Sequence, residues 1–197
     1  MSSSNKLTII RFFCTPVVFL AWYFLVELGH SPRLGTLILW TLFLFSSITD
    51  ILDGYFARKM GQVTDIGKLM DPFSDMLLMV TYFVCFLNAG LMNVWVLIII
   101  LWREFMIMFI RMLLTYKQVV LGASFAGKFK TVLYFVSGAG GLIVFTLHAW
   151  LPTLRFLSLV EFLSGLLFII AALAALISLI DYFRTYLGSL REILLSK

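Results

Sequence analysis

Apolar residues fill this chain in long runs, and short polar stretches separate them. Runs near 7–28, 34–58, 71–90, 94–116, 131–150 and 156–187 stand out. A helix rises about 1.5 Å per residue, so about 20 apolar residues cross a hydrocarbon core of about 30 Å. Each run meets that length, and the longer ones can tilt or extend into water. Lipid cannot satisfy open backbone groups, so the runs must be helical. No internal repeat or low-complexity segment divides them. The pattern predicts an all-α integral membrane protein with six transmembrane helices and one domain over residues 1–197. Arg11 breaks the first run and no small-residue cleavage site follows it, which predicts a retained first helix rather than a signal peptide.

Composition agrees. Hydrophobic residues make up 62% of the 197 positions and charged residues only 13%, about half the charged share of a soluble domain. The net charge of +5 follows from where the cations lie. With the N-terminus inside, the outer loops near 29–33, 91–93 and 151–155 hold only Arg33 and Arg155. The inner regions hold Lys6, Arg11, Arg58, Lys59, Lys68, Arg111, Lys117, Lys128, Lys130, Arg184, Arg191 and Lys197. The positive-inside rule then places both termini in the cytoplasm. No basic stripe on a polar helix supports nucleic-acid binding. Cys14 and Cys85 lie in apolar runs and form neither a disulfide framework nor a metal spacing. His30 and His148 sit at segment ends as interfacial residues.

One stretch breaks the apolar pattern. Between Asp50 and Asp75 lie five of the ten acidic residues. Asp50, Asp53, Gly54 and Ala57 share one side of a helix at about 100° per residue, and Gly67, Asp71 and Asp75 share one side of the next. The connection between them is short, so the two helices are expected to run antiparallel with their acidic faces opposed. Four carboxylates at a membrane boundary repel one another, and Arg58 alone cannot balance them. A hard divalent cation can, and Mg²⁺ or Mn²⁺ prefers oxygen ligands and keeps open positions for phosphate oxygens. Gly54 and Ala57 would leave a groove beside the acidic face; taken alone, they would equally suit close helix packing.

Asp50-x-x-Asp53-Gly54-x-x-Ala57-Arg58, eight residues, then Gly67-x-x-x-Asp71-x-x-x-Asp75 matches every specified position of the CDP-alcohol phosphotransferase signature. The chain resembles that family over its whole length, with six helices and the motif on the second and third. The resemblance implies the family's fold and its reaction: an alcohol attacks a CDP-linked lipid, CMP leaves and a phosphodiester forms. It implies that Asp50, Asp53, Asp71 and Asp75 hold one or two divalent ions and that Asp75 also serves as the base. It places the CDP-lipid on Asn5, Thr8, Gly54, Ala57, Arg58, Thr64 and Gly67. It further implies a homodimer in the cell membrane, with the active site on the cytoplasmic side. The chemistry fits, because phosphoryl transfer needs placement and charge neutralisation more than covalent help.

The acceptor must be read elsewhere. "NKLTIIR" at 5–11, "WREFMIMFIR" from 102 and "GKFKT" at 127–131 are similar to bacterial members whose acceptor is glycerol 3-phosphate and whose donor is CDP-diacylglycerol. Arg103, Arg111, Lys128 and Lys130 are the candidate acceptor-phosphate cations, since a dianion approaching a carboxylate-rich site needs positive charge. Arg103 lies in mid-membrane, where a charge has a functional or pairing reason. Its neighbour Glu104 is about 100° away around the helix and is not expected to be its partner. Met76 follows Asp75 where many bacterial members carry Lys. Other acceptors, such as inositol phosphate, serine or phosphatidylglycerol, would use the same chemistry. A cation or proton transporter is the reading outside it, but the outer halves of these helices hold few polar residues to line a path.

Overall fold

The computed structural model describes the backbone of residues 3–60, 65–116 and 125–195. It describes the side chains of residues 9–49, 70, 72–115, 125–188 and 191. The described chain is all helical: α1 (Ser3–Ala21), α2 (Pro32–Met60), α3 (Asp65–Asn88), α4 (Val94–Tyr116), α5 (Phe125–Trp150) and α6 (Leu157–Leu195). The expected runs fall one to a helix. Several helices extend beyond them because the runs were bounded by hydrophobicity, and a helix does not end where its residues turn polar. Thus α3 begins at Asp65 and passes through Pro72, and α5 takes in the basic stretch before residue 131.

The first run ends differently from the pattern. Trp22–Glu27 continues α1 as a wider π-helical turn. The start of α2 packs tightly against it. A Cβ on Gly35 would lie 2.6 Å from Val26 Cγ2, so only glycine permits this approach.

Local chemistry sets the turns. Leu91 N–H donates to the Phe86 carbonyl at 2.9 Å and Gly90 N–H to that of Leu87 at 3.0 Å. With Gly90 at φ 75°, this is a Schellman ending for α3. Asn93 Oδ1 then accepts from Trp95 N–H at 2.9 Å and caps α4. Pro32 stands first in α2, where its missing N–H costs nothing.

Helices successive in the chain alternate in direction. Along α2 and α5, Trp40 donates to Thr146 at 2.9 Å while Arg33 donates to the Ala149 carbonyl at 3.3 Å, an antiparallel register. Along α4 and α6, Arg103 meets Ser178 and Arg111 meets Tyr182, a parallel register. Such a bundle has two ends. One carries the turns at 28–31, 89–93 and 151–156; the other carries the end of α2, the start of α3, the end of α4 and the start of α5.

The core is aromatic. Tyr82, Phe83, Phe86 and Phe168 are each at most 1% exposed. Tyr82 donates to the Leu39 carbonyl at 2.8 Å and its ring meets Phe43 edge-on at 5.4 Å, which ties α3 to α2. Outside this core, large apolar side chains face outward along every helix, Trp95, Trp102, Phe105 and Phe109 on α4 among them. Four described stretches are long and apolar enough to cross a membrane: Ile9–Glu27, Pro32–Thr49, Phe125–Trp150 and Leu157–Gly188. The apolar part of α3, Pro72–Asn88, is shorter. α4 carries Arg103, Glu104 and Arg111 inside an otherwise apolar sequence.

Candidate active site

The acidic motif straddles the connection between α2 and α3. Asp50, Asp53, Gly54, Ala57 and Arg58 stand on the last turns of α2, and Gly67, Asp71 and Asp75 on the first turns of α3. Asp50 is about ten residues before the end of α2 and Asp75 about ten after the start of α3. Both therefore lie about 15 Å along their helices from that connection. Asp53 and Asp71 stand roughly two thirds as far. The side chains of Asp50, Asp53, Gly54, Ala57, Arg58, Gly67 and Asp71 lie outside the described residues, as do those of Asn5 and Thr8 on α1. Thr64 lies outside them altogether.

Asp75 is described, and its surroundings supply what sequence reading missed. Arg11 on α1 donates from Nη1 to Asp75 Oδ1, in an ion pair. The two ends of this pair differ sharply in environment. The Arg11 side chain is 1% exposed and that of Asp75 43% exposed. The guanidinium stands behind the carboxylate, and the carboxylate faces outward. Packing holds this arrangement: Phe12 and Phe73 rings meet at 5.6 Å, and Thr15 Oγ1 donates to the Arg11 carbonyl at 3.2 Å. The sequence hinted at it with an arginine that interrupts an apolar run and closes the NKLTIIR stretch at 5–11. Positive-inside bias accounted for it equally well.

A second polar cluster occupies the seam of α4, α5 and α6. Glu104 Oε1 accepts from Arg103 Nη1 at 2.9 Å and from Lys130 Nζ at 2.6 Å. Arg103 Nη2 also donates to Ser178 Oγ at 2.7 Å. Glu104 is thus a partner of Arg103 after all. Adjacent positions diverge around a helix, but both side chains are long, and Lys130 and Ser178 draw their heads toward one seam. Lys130 Nζ also lies 4.5 Å from the centre of the Tyr134 ring, which joins the cluster to the aromatic core.

Two cations share one carboxylate, so the cluster keeps a net positive charge. Buried N–H groups at Arg103 Nε and Arg111 Nε have no acceptor among the described residues. The Arg111 guanidinium lies 6.0 Å from the Tyr182 ring centre. Lys128 is exposed. These features suit an anion, because buried charge and donors are costly unless matched. The cluster and Asp75 lie on the same side of the aromatic core. Phe83, two turns beyond Asp75, meets edge-on at 5.8 Å the ring of Tyr134, one turn beyond Lys130.

At the opposite end the polar groups serve packing. Arg33 lies 5.3 Å over Trp150, and His148 Nε2 is 2.7 Å from Glu161 Oε1, joining α5 to α6. Among the described residues no three His, Cys, Asp or Glu gather as metal ligands, and Cys14 and Cys85 are free thiols.

Comparison with known proteins bears on this arrangement. A family model described as CDP-alcohol phosphatidyltransferase matches residues 1–180. A relative from Treponema pallidum, named CDP-diacylglycerol–glycerol-3-phosphate 3-phosphatidyltransferase, is 35% identical over 153 residues, covering 77% of this chain and 71% of its own. Relatives of the same name from Rickettsia felis and Bacillus subtilis are 37% and 35% identical over 129 and 133 residues. They cover 66% and 64% of this chain and 68% and 69% of their own.

Proposed function

The chain belongs to the CDP-alcohol phosphatidyltransferase family, and from that premise we propose that it moves the phosphatidyl group of CDP-diacylglycerol to glycerol 3-phosphate and releases CMP. The observation that carries the acceptor is the shared name of relatives that align over about two thirds or more of this chain. The α4–α6 seam supports it independently. A dianionic acceptor needs fixed positive charge, and Arg103, Arg111 and Lys130 offer it, Arg103 and Arg111 with a buried Nε–H unmet among the described residues; exposed Lys128 adds to the field. A neutral acceptor such as serine would leave that charge without a purpose.

In this reading Asp75 takes the proton from the acceptor hydroxyl. The freed oxygen attacks the phosphorus that carries the diacylglycerol. A new P–O bond forms, the bond to the bridging oxygen of CMP breaks, and CMP leaves with that electron pair. Gly54, Ala57, Arg58, Thr64, Gly67, Asn5 and Thr8 hold the CDP-lipid, with the Arg58 fork on phosphate oxygens. Asp50, Asp53, Asp71 and Asp75 are an all-oxygen donor set that fits Mg²⁺ or Mn²⁺, which when bound would neutralise charge on the diphosphate. The outward face of the Asp75 carboxylate is consistent with that use.

All six helices cross the bilayer in this reading, α4 included, because its Arg103 and Glu104 neutralise each other within the bundle. Both termini and the acidic site face the cytoplasm, since the acidic end of the bundle carries the excess of Lys and Arg. The chain acts as a homodimer in the cell membrane.

The test supplies purified protein with CDP-diacylglycerol, Mg²⁺ or Mn²⁺, and a panel of acceptors. CMP release with glycerol 3-phosphate, lost on chelation and restored by either ion, is the expected result. Release only with inositol phosphate, serine or phosphatidylglycerol would reassign the acceptor. Ion flux in proteoliposomes without CMP release would remove the enzyme reading.

A further inference from the structure

We propose that Arg11 is a positioning residue for this reaction: it holds Asp75 from behind so that the carboxylate presents its outer side to the site. The inference rests on the reading of Asp75 given above and goes beyond the acidic signature, which contains no residue of α1.

Three observations carry it. Arg11 donates to Asp75 across 64 positions of sequence, joining α1 to α3. The Arg11 side chain is 1% exposed, so substrate cannot reach it and it acts through the side chains it holds, Asp75 among them. The Asp75 side chain is 43% exposed, so its pairing with Arg11 leaves a large part of its surface uncovered. The planar guanidinium fixes the carboxylate's direction as well as neutralising part of its charge, which an ammonium does less well.

The pairing has a consequence that a structural role does not share. Arg11 is a cation held against a residue that also binds a divalent ion, so the two compete for the same charge. Exchange of Arg11 for Gln removes the competitor while loosening the carboxylate. The variants R11Q, R11K and D75N are compared with the unchanged protein in three measurements. These are Mn²⁺ affinity by electron paramagnetic resonance without substrate, kcat, and KM for glycerol 3-phosphate. A carboxylate misplaced by about 1 Å costs on the order of 100-fold in rate. R11Q is therefore expected to lose roughly that much kcat, keep its KM within about twofold, and bind Mn²⁺ at least as tightly as before. R11K, which keeps the charge without the fork, is expected to fall between, and serves as the test if R11Q does not fold.

An R11Q kcat within about threefold of the unchanged protein, or Mn²⁺ binding lost in step with kcat, overturns the positioning role. A fully active D75N is a different failure, since it removes Asp75 from the reaction and the parent reading with it. An inert D75N beside an unimpaired R11Q refutes Arg11 alone.

Discussion

Replacing Glu104 with Gln is the sharpest perturbation of the α4–α6 seam. The change keeps shape and removes one charge. Arg103 and Lys130, 5% and 8% exposed, then face each other without the carboxylate whose Oε1 both now use. Breaking a buried pair by removing one partner costs about 3–5 kcal/mol. The Glu104 side chain is 14% exposed, which favours the lower end of that range. The Gln carbonyl can still accept one hydrogen bond, worth about 1 kcal/mol. The net loss is about 2–3 kcal/mol, and for a chain of this size each kcal/mol moves Tm by about 2–4 °C. E104Q should therefore melt about 4–12 °C below the unchanged protein.

The molecule carries its own reporter for that measurement. Cys14 and Cys85 are its two cysteines, and both are free and buried, so a thiol-reactive fluorophore added to detergent-solubilised protein brightens as the core opens. K130M removes a cation but leaves Glu104 matched to Arg103, and should cost less than E104Q. The double variant E104Q/K130M should melt above E104Q alone, because it removes the repulsion that the single change creates. Independent, additive losses in the double variant, or an E104Q midpoint within about 2 °C of the unchanged protein, would refute the shared-carboxylate account.

Two further outcomes follow from the packing and from the acceptor site. A Cβ on Gly141 would lie 2.7–2.8 Å from three carbons of the Phe86 ring, and that ring is boxed in by Phe145 at 5.1 Å and Phe168 at 5.5 Å. G141A should lose about 1–3 kcal/mol to overpacking, whereas G165A, whose added carbon meets only the Leu91 carbonyl at 3.8 Å, should melt no lower than the unchanged protein; equal midpoints for the two would contradict the packing argument. R111Q, which removes a buried unmet donor, should raise the glycerol 3-phosphate KM about tenfold, and K128Q, at an exposed position, less than about threefold; an unchanged KM in both would point to a neutral acceptor.

The placement of the acidic residues on α2 and α3 was legible because it is local. The spacing of Asp50 and Asp53, and of Asp71 and Asp75, is a property of single helices, and a short connection forces two such helices to share one end of a bundle. The same holds for the helices themselves, since lipid demands closed backbone hydrogen bonding and about 20 apolar residues per crossing. Arg103 was legible only in part: a charge in mid-membrane announces that it needs a partner, without saying which. The π-helical turn at Trp22–Glu27 left no mark in the hydrophobic pattern, because every residue in it before Glu27 is hydrophobic and shows no periodicity.

The sequence by itself therefore determined the class of protein, its six helical segments and the placement of the acidic residues on α2 and α3, all of which depend on hydrophobicity and on spacing within one helix. Only the tertiary structure decided that Arg11 stands behind Asp75, that Glu104 joins Arg103 to Lys130, and that Ser178 completes the set. Those partners lie 64, 26 and 75 positions apart. Helical periodicity says which way a side chain leaves its own axis, but which axis lies opposite is set by how six helices pack around an aromatic core.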